Sequence, residues 1–477
     1  MIIDENIPLK HLTTFKIGGL ARYFCLAKSL DDLKEAVLFS KKQKLPIFVL
    51  GGGSNVLISD YGFGGLVIKI AISGVTFEDD KTHSKIRVGA GEGWDDFVSE
   101  AVNKGLWGIE NLSGIPGTVG GAPVQNIGAY GVDVSSVIDS VEIFDADIVK
   151  FRTISGEQCR FGYRDSLFKH ENGKNYIIVA VNFKLLKLGK PNIQYKDLAK
   201  YFGAPNASKP DLKSVRQAVL KIRSEKFPPL SKYGTAGSFF KNPVVSENVF
   251  ADVRKSFPEI PVFATNNGNV KVPLAWILDK ACNFKGRKIN HVALYEKQPL
   301  VLVNLGEATA HEVSVFADKV AADVKRRTGI EIEREVQVIG EENTPDKYKT
   351  FYWRFIYRFM KIVTAVVQST GWHNFRQPYL IGHLRAGRTA ESLLQHLYSR
   401  GYSKAYMAWK DPGEIFSVRK IVREKFQYHV RLFRDGELKG HYEYTAEAKP
   451  LDHLNEKIFL NTNDYFENLL HEFLEPF

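Results

Sequence analysis

The chain of 477 residues reads as an α+β protein built from several domains. Three observations predict this. Short apolar strands alternate with amphipathic helices through the first 340 residues. Glycine-rich loops interrupt that alternation at residues 51–55 and 114–131. A polar stretch with a proline, Glu341-Glu342-Asn343-Thr344-Pro345-Asp346-Lys347, then separates a further piece of small-domain size. The predicted division is 1–72, 73–205, 206–340 and 341–477.

The elements follow in order. Ser29 ahead of Leu30-Asp31-Asp32-Leu33-Lys34-Glu35-Ala36-Val37 supplies an N-cap and then helical apolar spacing. Pro46-Ile47-Phe48-Val49-Leu50 is a continuous apolar strand that runs into the first glycine loop. Ser140-Val141-Glu142-Ile143-Phe144 and Ile177-Ile178-Val179-Ala180-Val181 are strands of the second region. A helix begins at Asp211-Leu212, and the third region closes on a strand predicted over Glu331 to Val338. In that strand, alternation would put Glu331, Glu333 and Glu335 on one face.

Composition narrows the function. Hydrophobic residues at 44% and charged residues at 25% suit a globular protein, and the net charge is +11. Residues 341–477 hold 20 basic and 17 acidic side chains, so the excess is spread along the chain. Spread charge suits small anionic ligands, and no basic block of nucleic-acid type stands out. Cys25, Cys159 and Cys282 are far apart and fit neither a disulfide framework nor a zinc spacing. They read as small buried hydrophobes. The start, Met1-Ile2-Ile3-Asp4-Glu5-Asn6, has no basic and apolar leader, so a cytoplasmic protein is expected.

Two loops carry the first chemical signal. A strand ending in Gly51-Gly52-Gly53 brings bare backbone N–H groups to an anion, and Ser54 and Asn55 add side-chain donors. A flexible turn would look the same. The spacing of a Rossmann fingerprint is absent. Residues 114–131 hold six glycines and two prolines, too many for a continuous helix or strand. Interleaved Ile115, Val119, Val124, Ile127 and Tyr130 favour a backbone moulded around a ligand over a solvated linker.

Two further segments combine polar groups with glycines and aromatics. They are Arg160-Phe161-Gly162-Tyr163-Arg164-Asp165-Ser166 and Ala236-Gly237-Ser238-Phe239-Phe240-Lys241-Asn242-Pro243. They supply a permanent cation, a phenol, a hydroxyl and an amide. The plain alternatives are an Arg164–Asp165 surface ion pair and a serine in a glycine turn.

These segments, with Thr13-Thr14-Phe15-Lys16-Ile17-Gly18-Gly19, resemble in order the motifs of the UDP-N-acetylenolpyruvoylglucosamine reductase family, in its longer, tyrosine-loop subtype. The likeness spans residues 10–340. It implies the FAD-binding fold of the vanillyl-alcohol oxidase and p-cresol methylhydroxylase type. Residues 1–72 and 73–205 would be its two subdomains, and 206–340 the substrate domain. It further implies NADPH-dependent reduction of UDP-N-acetylglucosamine enolpyruvate to UDP-N-acetylmuramate, in peptidoglycan precursor synthesis. NADPH and substrate would use one pocket alternately. No histidine lies in either glycine loop, so FAD is expected to be held noncovalently.

Residue by residue, the resemblance makes Gly51, Gly52, Gly53, Ser54 and Asn55 cofactor-binding. It does the same for Gly117, Thr118, Val119, Gly120, Gly121, Gln125, Asn126 and Gly128. Arg164 would polarise the substrate carboxylate, its planar fork matching two oxygens. Ser238 would return a proton, and Glu335 would stand near the developing enolate, either neutral and donating or acting through water. Tyr163, Tyr195, Arg223, Lys226, Asn242 and Gln298 would bind the substrate. A flavin oxidase of the same fold and a catalytically lapsed UDP-sugar-binding scaffold are the competing readings. Rapid air oxidation of the reduced flavin, indifferent to UDP-sugar, would mark the first; loss of Arg164, Ser238 or Glu335 would mark the second.

The resemblance does not reach residues 341–477. Phe351-Tyr352-Trp353-Arg354-Phe355-Ile356-Tyr357-Arg358-Phe359-Met360-Lys361 has helical spacing that puts Arg354, Arg358 and Lys361 on one face. Such a helix packs on its own domain, covers a protein partner or lies on an anionic membrane. Asp435-Gly436 between two alternating runs predicts a hairpin, making this piece a small α+β module. His429, His441 and His453 lack the tight spacing of a metal site and read as structural. The expected role is interaction or localisation.

Overall fold

The computed structural model describes residues 1–203, 210–264, 268–340, 379–404, 413–422, 426–444 and 463–475. The chain forms two compact units, Met1–Gly340 and Glu341–Phe477. The segments 341–347 and 351–361, with His453, lie outside the described residues.

The first unit opens on a four-stranded sheet ordered Asp4–Pro8, Leu20–Ala27, Phe63–Ile70, Ile47–Leu50. Its inner pairs are parallel. The helix Leu30–Gln43 provides the crossover and starts in a full capping box, Ser29 with Asp32. A five-stranded antiparallel sheet follows, ordered Lys150–Ser155, Ile138–Asp145, Tyr176–Leu186, His83–Gly89, Val75–Asp79. Its inward residues, among them Val141, Ile143, Val181 and Phe183, merge with Trp94 and Phe97 of the helix Trp94–Asn103 into one large core. All three cysteines are buried and free.

The remainder of the unit packs a second core around Phe239, Phe240, Phe284 and Phe316. Helix Leu212–Lys226 starts where the sequence predicts, with the Asp211 carboxylate accepting from the Ser214 amide. The strand predicted over residues 331–338 is not formed as such. Only Gln337–Ile339 is strand, and it pairs in parallel with Val56–Ile58 of the first region. Upstream, the chain is tied by one bridge, Arg334 to Phe240. With no neighbour along both edges, the three glutamates do not share an environment. Glu331 and Glu333 are each 76% exposed and pair with Lys325 and Lys241, whereas Glu335 is 14% exposed and turned inward.

The second unit is a five-stranded antiparallel sheet, ordered Tyr379–His383, Glu437–Tyr444, Phe426–Phe433, Glu414–Val422, Ser403–Lys404. The predicted hairpin turns at Asp435-Gly436, where Gly436 takes φ +86°. Helices Ala390–Ser399 and Asn463–Leu470 cover one face, burying Leu393, Leu397, Val430, Leu432, Phe466 and Leu470. On the other face His429 and His441 sit opposite each other with rings stacked at 4.9 Å. Among the described residues, no group of His, Cys, Asp or Glu is arranged to hold a metal, and no helix is long and apolar enough to cross a membrane.

Candidate active site

Both glycine loops line one cavity of about 1160 Å³ in the first unit. The 51–55 loop leaves the strand Ile47–Leu50, and its opposite wall is the 114–121 loop. The loops touch so closely that side chains are excluded. A Cβ on Gly52 would stand 2.6 Å from Gly117 Cα, and one on Gly120 would stand 2.6 Å from Ala90 Cβ. Gly53 and Gly117 take φ of +64° and +134°, conformations open to glycine. Among the described residues, no backbone hydrogen bond engages the N–H groups of Gly52, Gly53, Ser54 or Asn55. The Thr118 hydroxyl is buried without a partner. Lys69 holds the Gly51 carbonyl at 2.9 Å, and burial pulls that lysine below its ordinary pKa. A strand end with free amides, bare glycines and an orphaned hydroxyl fits the diphosphate of a dinucleotide such as FAD. Among the described residues, the lining contains neither histidine nor cysteine.

The polar segments converge on the same cavity. Arg164, itself left-handed at φ +54°, places Nε 3.0 Å from Glu335 Oε1. Gln125 Nε2 donates to the same oxygen at 3.0 Å, while Oε2 has no partner among the described residues. Arg164 also donates to the carbonyls of Gly128 at 2.5 Å and Asn126 at 3.4 Å, and stands 3.6 Å from Asp133. The alternative of a surface ion pair with Asp165 does not occur, because Asp165 pairs with His170. Nor is its fork open, as the guanidinium is held by the protein's own acceptors. It is a fixed cation, and an incoming carboxylate would exchange with one of them. Glu335 Oε1 correspondingly receives hydrogen bonds from both neighbours and acts there as an acceptor.

Ser238 is brought alongside by backbone pairing. It bridges to Val301, and the Glu335 amide donates to the next carbonyl, Phe239, at 2.7 Å. The Ser238 hydroxyl has no hydrogen-bond partner among the described residues and lines the cavity, as do Asn242 and Gln298. Asn242 Oδ1 accepts from the Leu274 amide at 3.0 Å. The N-terminal motif seams these parts together: Thr14 N–H donates to Gly53 at 3.0 Å, and its hydroxyl donates to Thr235 at 2.6 Å.

The basic end of the lining comes from helix Leu212–Lys226. Arg223 Nε donates to the Gly114 carbonyl at 3.1 Å, and burial lowers its pKa against the opposing effects of Tyr130 and Asp95. Lys226 lies 2.5 Å from Asp197, and Tyr195 meets Tyr130 edge to face at 5.5 Å. Burial pushes the Tyr130 phenol up to about 12.

Three expected site residues stand outside the lining. Val119 is fully buried in the core and its amide is spent on Glu92. Asn126 is buried and braces Gly162 at 2.8 Å and the Ser135 amide. Tyr163 is 37% exposed beside Lys271, whose ammonium lies 3.7 Å from the ring centre. Lys69 and Lys169 gave no sequence signal, since each takes its meaning from a neighbour remote in the chain.

Glycine-walled anion cradle and inward-facing ion pair together fit a flavin-binding oxidoreductase. Residues 21–148 match the model of an FAD binding domain, and residues 228–339 match that of the UDP-N-acetylenolpyruvoylglucosamine reductase C-terminal domain. The UDP-N-acetylenolpyruvoylglucosamine reductase of Ralstonia nicotianae is 38% identical over 343 residues, covering 71% of this chain and 99% of that one. That of Flavobacterium johnsoniae is 38% identical over 341 residues, covering 71% and 100%. The crystal structure of the Thermus caldophilus reductase aligns with a TM-score of 0.49 at 25% identity, over 71% of this chain and 99% of that one. The chain belongs to the UDP-N-acetylenolpyruvoylglucosamine reductase family and is an FAD-containing enzyme.

Proposed function

We propose that the protein reduces UDP-N-acetylglucosamine enolpyruvate to UDP-N-acetylmuramate with NADPH, a step of peptidoglycan precursor synthesis. The observation that carries this reading is the meeting of Arg164, Glu335 and the unpartnered Ser238 hydroxyl on the glycine-walled cavity. FAD held noncovalently between residues 51–55 and 117–128 supplies reducing equivalents taken from NADPH.

The remaining work belongs to side chains. Reduction of an enolpyruvyl ether builds negative charge that spreads into the substrate carboxylate. Arg164 answers it with a permanent charge held in place by protein acceptors, one of which the substrate carboxylate replaces. Ser238 gives its proton to the substrate carbon beside the carboxylate, and its hydroxyl has no competing acceptor. Glu335, with Oε2 uncommitted, orders the proton delivery. Lys226 and Arg223 meet the diphosphate, Lys226 exchanging Asp197 for it. Tyr195 closes over the nucleotide, while Asn242 and Gln298 contact the sugar end.

The setting is the cytoplasm, because NADPH and nucleotide sugars are too highly charged to cross a bilayer. Residues 341–477 act as an interaction or localisation module, since the relatives matched over 99% or more of their length carry the same name without it. The test is to purify the yellow protein and follow NADPH loss with and without the enolpyruvyl UDP-sugar. Substrate-dependent loss supports the reading. Colourless protein, or oxidation indifferent to the UDP-sugar, overturns it.

A further inference from the structure

Glu335 Oε1 receives two donors, and each depends on a third residue for its orientation. Lys169 ends the short helical turn Leu167–Lys169, which is docked by the buried Ser166 hydroxyl on the Val124 carbonyl at 2.7 Å. From there its ammonium lines the cavity and donates to the Arg164 carbonyl at 2.9 Å. It also faces Gln125 Oε1 at 3.5 Å.

Both contacts fix something that would otherwise be free. Arg164 sits at φ +54°, a left-handed conformation that costs a non-glycine residue about 1–3 kcal/mol unless its surroundings enforce it. The bond from Lys169 to the Arg164 carbonyl holds the peptide in that orientation. Gln125 could present its amide either way round. An ammonium only donates, and Glu335 Oε1 already accepts from Arg164 Nε, so one orientation satisfies both sides. Oxygen faces Lys169, and nitrogen faces Glu335 at 3.0 Å. The flipped amide would set donor against donor and acceptor against acceptor. Burial, and then the nearby Lys241, pull the lysine below its ordinary pKa, while Asp165, Glu335 and Glu333 oppose that shift.

We propose that Lys169 is a positioning residue of this site: its ammonium, bonded to the Arg164 carbonyl and facing Gln125 Oε1, sets the two donors that converge on Glu335. It acts through Arg164 and Gln125 and touches no reacting atom. The proposal rests on the reductase reading for its catalytic consequence, but its geometric content stands by itself.

Lys169→Met, Lys169→Arg and Gln125→Ala are compared with the wild-type holoenzyme, with the double variant closing a cycle. Lys169→Met is expected to lower kcat for UDP-sugar-dependent turnover by roughly 10–100-fold, the range for residues that orient a reacting group through another. FAD content and KM for the UDP-sugar should stay near wild type, and Lys169→Arg should restore most of kcat. In the Gln125→Ala background the same substitution should cost measurably less, because the two share one path. A crystal structure of Lys169→Met should show Arg164 Nε withdrawn from Glu335 beyond about 4 Å, past hydrogen-bonding reach. Lys169→Gln replaces the Met variant if that chain does not fold. An unchanged Arg164–Glu335 contact, wild-type kcat, or fully additive losses would overturn the proposal. A wild-type protein indifferent to the UDP-sugar would sink the reductase reading, and the distance in the variant would still decide the role of Lys169.

Discussion

Asp95 is gripped by both terminal nitrogens of Arg216, at 2.6 and 3.0 Å, joining helix Trp94–Asn103 to helix Leu212–Lys226. The same carboxylate takes the Gly114 amide at 2.6 Å, and Gly114 in turn accepts from Arg223. One side chain therefore couples the cofactor loop to the basic helix. Asp95→Ala should cost roughly 1–2 kcal/mol, discounted because the carboxylate is partly solvated. Thermal melting checks the stability, and KM for the UDP-sugar should rise with it.

The pH dependence of that tie has a definite sign. Burial acts to raise the Asp95 pKa, but Arg216 and the Gly114 amide outweigh it, and the net shift is downward. A depressed carboxylate pKa stabilises the fold above the unfolded value of about 3.9 and loses that contribution as pH falls through the folded value. Melting curves of wild type and Asp95→Asn should differ at neutral pH and converge as pH falls below the unfolded value and on through the depressed folded one.

Ser238→Ala separates the two halves of the proposed reaction. Flavin reduction by NADPH should proceed at close to the wild-type rate. Reoxidation by the enolpyruvyl UDP-sugar should slow by roughly 10²–10⁴-fold, the usual worth of a positioned proton donor. Stopped-flow absorbance of the flavin reads both phases, and equal rates in the second would remove Ser238 from the role.

Gly52→Ala probes the wall between the loops. Its new methyl would meet backbone at Gly117, which cannot swing away as a side chain could. Overpacking of that kind costs about 1–3 kcal/mol. FAD affinity should fall roughly tenfold or more, seen as a lower flavin-to-protein absorbance ratio.

Truncation after Gly340 should leave NADPH- and UDP-sugar-dependent turnover within about twofold of the full chain, since the boundary falls between two compact units. Relatives end-matched by 71% of this chain manage without the second unit. A folded but inactive 1–340 protein would give the extension a part in catalysis.

Local chemistry was well legible in the sequence. Ser29 and Asp211 announced their helices, Asp435-Gly436 its hairpin, and the glycine loops the cofactor cleft, because each signal is complete within a few residues. Legibility failed where the outcome depends on a remote neighbour. Residues 331–336 have strand-like alternation, but too little partner edge to form a strand. Arg164 chose Glu335 over the adjacent Asp165, and Val119 turned from the loop into the core. No local pattern could show that Lys169 would reach Gln125, 44 positions away.

The parallel pairing of Gln337–Ile339 with Val56–Ile58 has a bearing on how the enzyme is made. Contacts between such distant segments are among the slowest to form, because the intervening chain must be ordered first. Glu335 enters the cleft just ahead of that strand, so its placement depends on the same long-range closure. A chain still emerging from the ribosome, or broken short of residue 335, has the cradle and the arginine but lacks their counter-charge. Activity in this enzyme thereby requires the chain to be complete through the strand Gln337–Ile339, and each active molecule has passed its own test of assembly.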